Sequence, residues 1–144
     1  MCIFCRISTG ELPASVVYED ESTMAFLDIQ PINPGHVLVI PKQHAGSLVD
    51  LSPEDAAHLM QVGQIIDKAF HWSDLKCEGV NIFLADGRAA GQDVAHIHLH
   101  VFPRFHGDGF ELKIDPGSRK PPSREELNEN ANKLRHAIGA IQFV

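Results

Sequence analysis

Three histidines at every second position, His96-Ile97-His98-Leu99-His100-Val101-Phe102, dominate the chemistry available to this sequence. Side chains alternate between faces along an extended chain. A strand over residues 95–102 therefore sends the three imidazoles one way and Ile97, Leu99 and Val101 into a core. A helix would scatter both sets. Aligned imidazoles are costly as plain packing, because each needs a hydrogen-bond partner and their charged forms repel. Two chemistries use such a row. Imidazoles at i and i+2 can ligate a metal such as zinc. Alternatively, one ring nitrogen attacks an electrophilic centre while its neighbours set its tautomer. The nearby Gly87-Arg88-Ala89-Ala90-Gly91-Gln92 favours the second, since backbone N–H groups of a glycine-rich turn can cradle an anion. Row and turn together read as a phosphate pocket.

A sheet must hold that row. Residues 15–19 and 23–29 read as strands rich in β-branched and aromatic side chains. Pro31-Ile32-Asn33-Pro34-Gly35 reads as a turn, and residues 36–40 as a third strand stopped by Pro41. Ser52-Pro53-Glu54-Asp55 is a helix start: a hydroxyl N-cap, proline in the first turn, then acids at the positive helix end. Leu59, Met60, Gly63, Ile66 and Phe70 follow at helical spacing and form a sheet-facing stripe. A fourth strand over 79–84, the glycine-rich turn over 86–91 and the histidine strand complete the sheet. After a loop with Pro116, Pro121 and Pro122, the capping box Ser123-Arg124-Glu125-Glu126 opens a helix with Leu127, Ala131, Leu134 and Ile138 on one face. The expected fold is α+β: an antiparallel five-stranded sheet with a long crossover helix and a C-terminal helix, in one domain over residues 1–144.

Composition agrees. The 144 residues are 44% hydrophobic and 22% charged, as in soluble globular chains. A formal charge of −7 argues against a nucleic-acid binder, which needs clustered Lys and Arg. One phosphate in a pocket needs only local donors. Three cysteines (Cys2, Cys5, Cys77) cannot all pair within the chain, no run reaches the roughly 20 apolar residues of a membrane helix, and no secretory signal opens the sequence. A reducing cytoplasm without membrane attachment is expected.

His96-x-His98-x-His100, preceded by Ala90-Gly91-Gln92 and followed by Pro103-Arg104, resembles the signature of the histidine triad (HIT) family, in its bacterial and phosphoramidase branches. Cys2-Ile3-Phe4-Cys5, Phe26-Leu27-Asp28-Ile29, Pro34-Gly35-His36 and Ile40-Pro41-Lys42-Gln43-His44 match in order, so the resemblance spans residues 2–105. It implies nucleotide hydrolase or transferase chemistry at an α-phosphate, on nucleoside phosphoramidates, adenylates or dinucleoside polyphosphates. His98 would be the nucleophile that forms a nucleotidyl-histidine, His100 would bond the phosphate, and His96 would support them, with backbone donors near Gly91 and Gln92 helping. A purine nucleoside would lie against Ile3, Phe4, Ile7 and Phe26, with Asp28 accepting from its ribose hydroxyls. Homodimers are usual in the family, and no organic cofactor is implied. A non-catalytic nucleotide-binding module and a metal-dependent hydrolase with the triad as ligands are the rival readings.

Two positions depart from the pattern. Ala85 replaces a phosphate-contacting Asn or Gln, and Asp93 replaces a Ser common in the phosphoramidase branch. A carboxylate beside a phosphate repels it unless protonated or turned away. Cys2-x-x-Cys5 has the spacing of a structural zinc pair. The resemblance implies that Cys2, Cys5, His44 and His96 hold zinc as a closed, four-ligand site. The other histidines read blandly: His58 and His136 solvent-facing on helices, His71 at a helix C-terminus, His36 after a turn, and His106 in a loop. Cys77 reads as a packed thiol.

Overall fold

A computed structural model of the chain describes residues 1–113, 117 and 119–141, divided into two units, Met1–Phe110 and Glu111–Val144. Pro116 lies outside the described residues. In the first unit the elements run α1 (Ile3–Ser8), β1 (Val16–Glu19), β2 (Thr23–Leu27), β3 (Val37–Pro41), α2 (Pro53–Trp72), β4 (Gly79–Leu84) and β5 (Leu99–Arg104). Single 3₁₀ turns at Leu48–Asp50 and Arg88–Ala90 punctuate the loops. All pairings are antiparallel, in the order β1-β2-β3-β5-β4. The α+β class and the five-stranded sheet are as expected.

Both faces of the central strands are covered, which is why β2 and β3 read as unbroken apolar runs. One face carries Ala25, Val37, Val39, Leu99 and Val101 against Leu59, Val62, Ile66 and Phe70 of α2. The other carries Met24, Phe26, Leu38 and Ile40 against Phe4 of α1. Gly63 lets α2 approach β5 closely: a Cβ there would stand 3.0 Å from Leu99 Cδ2. The stripe differs from expectation at one position, since Met60 is half exposed and Val62 is the residue that meets the sheet. Ser52 caps α2 as expected, its hydroxyl accepting from the Asp55 N–H.

Two strand ends also differ. β2 stops at Leu27 because Asp28 begins a turn, its carboxylate accepting from the Gln30 N–H. β5 starts at Leu99 and not at Ala95. The β3–β5 ladder runs only from Val37↔Val101 to Val39↔Leu99. Pro41 has no N–H to extend it, and its carbonyl takes a hydrogen bond from the His96 ring. Ile97 donates instead to the Ala45 carbonyl at 2.7 Å. His96 and His98 therefore lie on an extended segment before the strand, pinned by the loop after β3.

His58 is not simply solvent-facing. Its Nε2 lies 2.6 Å from Asp20 Oδ2, which also accepts from the Tyr18 hydroxyl, and this clips α2 to the β1–β2 turn. Burial alone would raise the Asp20 carboxyl. The hydrogen bonds from His58, Tyr18 and the backbone of Ser22 and Thr23 outweigh it and hold the group well below the carboxylate range. The bonds to Asp20 and Gln61 push His58 upward. A histidine raised by folding stabilises fully below its unfolded value, about 6.5, and that contribution is lost as pH rises through the folded value. Wild type minus His58→Gln should therefore show a stability difference of about 0.2–1 kcal/mol below pH ~6 that shrinks by pH ~8. Urea titrations of both proteins at several pH values measure it; a difference that grows with pH contradicts the clip.

The second unit contains α3 (Arg124–Ala140), opened by the expected capping box of Ser123 and Glu126. Leu127, Leu134 and Ile138 of its apolar row are exposed. Among the described residues, no helix is long and apolar enough to cross a membrane.

Candidate functional site

Backbone groups dictate the tautomer of each triad imidazole. His98 is buried, 3% exposed, and its Nδ1 lies 2.8 Å from the His96 carbonyl, so Nδ1 carries the proton and donates. The Nε2 lone pair is left free in the neutral ring. His96 sits deeper, with Nε2 donating to the Pro41 carbonyl at 2.8 Å and the Nδ1 lone pair facing Cys2 and Cys5. The tautomer of His100 is set at one remove. The Ile32 N–H donates to His36 Nδ1 at 3.0 Å, so neutral His36 carries its proton on Nε2 and donates to His100 Nδ1 at 2.9 Å. His100 then keeps its proton on Nε2, the donor it can offer a ligand. Burial lowers His36 and His96, and burial first, then neighbouring His98, lowers His100 to about 4. These three rings are neutral near pH 7.

His98 and His100 open on a cavity of about 780 Å³. Ile3, Phe4, Ile7, Phe26, Asp28 and Asp93, all expected at a substrate site, line it. The Phe4 ring lies edge-on to the His98 ring, with centroids 5.1 Å apart. Asp93 Oδ1 stands 3.4 Å from His98 Nε2 and accepts from the Val94 N–H. Ala85 is buried and presents no polar side-chain atom.

Gly91 and Gln92 are not among the cavity-lining residues. The N–H groups of Ala90, Gly91 and Gln92 are engaged within the turn, on the carbonyls of Gly87 and Arg88. The backbone donors at Gly91 and Gln92 that were expected to cradle an anion are therefore spent on the turn itself. Gly91 serves as the left-handed end of the turn, at φ +89°. The Gln92 amide binds only backbone: Oε1 accepts from the Gly87 N–H, while Nε2 donates to the carbonyls of Gly46 and Val94. It ties the turn to the loop after β3.

On the far side of His96, Cys2, Cys5 and His44 converge with it, their ligand atoms all within 4.8 Å of one another. Tetrahedral zinc with bonds of about 2.3 Å to sulfur and 2.0–2.1 Å to nitrogen needs S···N edges of roughly 3.5 Å. The observed edges are 3.3 Å (Cys5–His44), 3.4 Å (Cys2–His96) and 3.6 Å (Cys5–His96). The residues fit a structural zinc, and the His96–Pro41 bond is the kind of outer partner that orients a metal-bound imidazole. By contrast, each triad ring faces different partners. Among the described residues the triad forms no common ligand set; the other converging group is Asp28, His36 and His100.

The HIT domain family model matches residues 9–107. The chain belongs to the HIT family. It is 39% identical over 103 residues to the adenosine 5'-monophosphoramidase of Schizosaccharomyces pombe, covering 72% of this chain and 74% of that protein. A HIT family protein from Bacillus anthracis superposes with a TM-score of 0.86 at 37% identity, covering 94% of this chain and 96% of that one. A zinc-bound histidine triad family protein from Mycobacterium smegmatis superposes with a TM-score of 0.74 at 44% identity, with the same coverage.

Within this HIT domain, His36 does more than follow a turn. It is 2% exposed and sets the tautomer of His100. The Pro34-Gly35-His36 match was the available signal. Leu12, Pro13, Ser15 and Gln30 also line the cavity and carried no signal in the sequence. Pro103-Arg104 has a structural task. Arg104 Nε donates to the Asp108 carboxylate at 2.6 Å, and Asn33 donates to both Asp108 and the Pro103 carbonyl, fastening the end of β5 to the turn before β3.

Proposed function

We propose that this protein is a nucleotide hydrolase or transferase that cleaves nucleoside phosphoramidates or adenylates at the α-phosphorus, with His98 as nucleophile. One observation carries the reading: His98 is locked as the Nδ1–H tautomer by the His96 carbonyl, at a cavity that also presents His100 and Asp28. The phosphoramidase relative supports the substrate class.

In the first step the His98 Nε2 lone pair attacks phosphorus in line. A P–N bond to His98 forms, and the bond to the leaving amine breaks, its electron pair staying on the amine nitrogen, which takes a proton from solvent. The N–H that His36 holds on His100 Nε2 is aimed at charge on a non-bridging oxygen, a donor oriented before reaction begins. In the second step water attacks phosphorus and loses a proton to solvent. The P–N bond breaks, its pair returns to His98, and the nucleoside monophosphate leaves. Ile3, Phe4, Ile7 and Phe26 take the base, Asp28 the ribose hydroxyls, and Gln92 holds the turn that carries Asp93.

Cys2, Cys5, His44 and His96 hold a structural zinc in this reading, which when bound cross-links the N-terminal segment to the loop after β3. No proton or bond of the reaction passes through it.

Rapid quench with adenosine 5'-phosphoramidate, followed by peptide mass analysis under non-acidic conditions, tests the intermediate. One adenylyl group on the peptide containing His98 is expected. Turnover with no adduct at any quench time, together with activity lost to chelators and restored by metal, refutes the nucleophile and favours metal-dependent hydrolysis. Nucleotide binding without turnover on any substrate leaves a binding module.

A further inference from the structure

Among the described residues lining the cavity there is no lysine or arginine; its charged side chains are Asp28 and Asp93. That is an odd composition for a site that takes a nucleotide, because phosphate sites usually answer charge with charge. Asp28 lines the cavity together with Ile3, Phe4, Ile7 and Phe26. Asp93 is 76% exposed and stands 3.4 Å from the attacking nitrogen. A nucleoside held against the apolar lining with its α-phosphate at His98 brings whatever is joined to that phosphate near the exposed Asp93 carboxylate. The nearest polar partners offer that group no compensating cation. His36 is buried, His100 is half-buried, and the two imidazoles are engaged with each other, while the N–H groups of Ala90, Gly91 and Gln92 are bonded within their own turn.

We infer that Asp93 sorts substrates by the charge of the leaving group. It favours nucleoside monophosphates joined to an amine that bears a second, cationic group, and it disfavours those joined to a polyphosphate or a carboxylate-bearing amine. The inference rests on the reading of His98 as nucleophile. An unpaired carboxylate within several ångströms attracts an ammonium and repels a carboxylate in both the bound and the transition state, so the effect falls on kcat/KM. Because Asp93 is largely exposed, salt must weaken the discrimination. The Val94 N–H bond keeps the carboxylate in place without neutralising it.

Three adenosine 5'-phosphoramidates of similar size provide the test: one from ethylenediamine (cationic), one from propylamine (neutral) and one from glycine (anionic). The expected order of kcat/KM at low salt is cationic, neutral, anionic, with about tenfold or more between the extremes. Asp93→Asn should compress that spread to within about threefold, mainly by raising the anionic substrate, and 0.5 M salt should compress it in wild type. Asp93→Ser should behave as Asp93→Asn. Equal rates for the three substrates in wild type, or an unchanged ranking in both variants, overturns charge sorting while leaving His98 as nucleophile intact. So does a magnesium-dependent gain on diadenosine tetraphosphate that both variants lose, because Asp93 would then recruit a cation for anionic leaving groups. No turnover of any of the three would instead overturn the proposed function itself.

Discussion

Replacing His98 by alanine is expected to lower kcat/KM on adenosine 5'-phosphoramidate by about 10⁴–10⁶-fold, the usual consequence of removing a nucleophile. The fold should survive, since the substitution removes one ring and one hydrogen bond, from Nδ1 to the His96 carbonyl. Binding of adenosine monophosphate should change little, because His100 keeps its donor through His36 and the apolar wall is untouched. Steady-state kinetics beside a calorimetric titration separates the two effects. A variant that turns over within tenfold of wild type contradicts the assignment, as does one that loses product binding and activity together. His36→Ala provides a graded companion: the ring of His100 remains, but nothing fixes its proton on Nε2.

The second large effect concerns stability. Untagged protein purified without chelators should carry about one zinc per chain, and Cys5→Ala should lower Tm by on the order of 10 °C. The reason is positional. Cys2 and Cys5 lie at and within α1, a six-residue helix too short to persist by itself, and His44 lies on the loop after β3. Without metal, Phe4 alone among α1 residues is buried to hold the helix on the sheet. Chemistry should fall much less, within about tenfold below the melting transition, since the carbonyl that orients His98 belongs to the backbone. Metal analysis and thermal melts with and without chelator measure this. Metal-free protein whose Tm is unmoved by added zinc or by Cys5→Ala refutes the site.

Local signals were enough for most of the framework. Ser52 and Pro53 predict the start of α2, Ser123 and Glu126 that of α3, and residues 79–84 coincide with β4, because caps and alternation are short-range properties. α1 escaped, since a six-residue helix has no periodicity to read and is held by Phe4 beneath and by the neighbouring Cys and His side chains. β5 starts at Leu99, later than alternation predicts, for a related reason. Alternation marks an extended chain, but the ladder ends where Pro41 lacks an N–H and Ala45 takes the Ile97 donor, facts about a segment some fifty residues away.

The histidine row by itself determined that imidazoles would share one face of an extended segment and that apolar partners would fill the other, since a two-residue period admits one outcome. It also indicated the chemistry, through residue types at a spacing that plain packing does not require. Tertiary structure alone decided what each ring does. His96 turns its lone pair to the cysteines because the Pro41 carbonyl occupies its other nitrogen, and His98 keeps Nε2 free because its own neighbour's carbonyl holds Nδ1. His100 receives its proton position from His36, which the backbone N–H of Ile32, in the turn before β3, has already fixed. A tautomer depends on which backbone donor or acceptor lies within about 3 Å of each nitrogen, and in this fold those groups come from the β3 edge, the turn before it and the loop after it. The same distance dependence made Gln92 a brace and closed the glycine turn on itself, outcomes that no local reading of 87–92 contains.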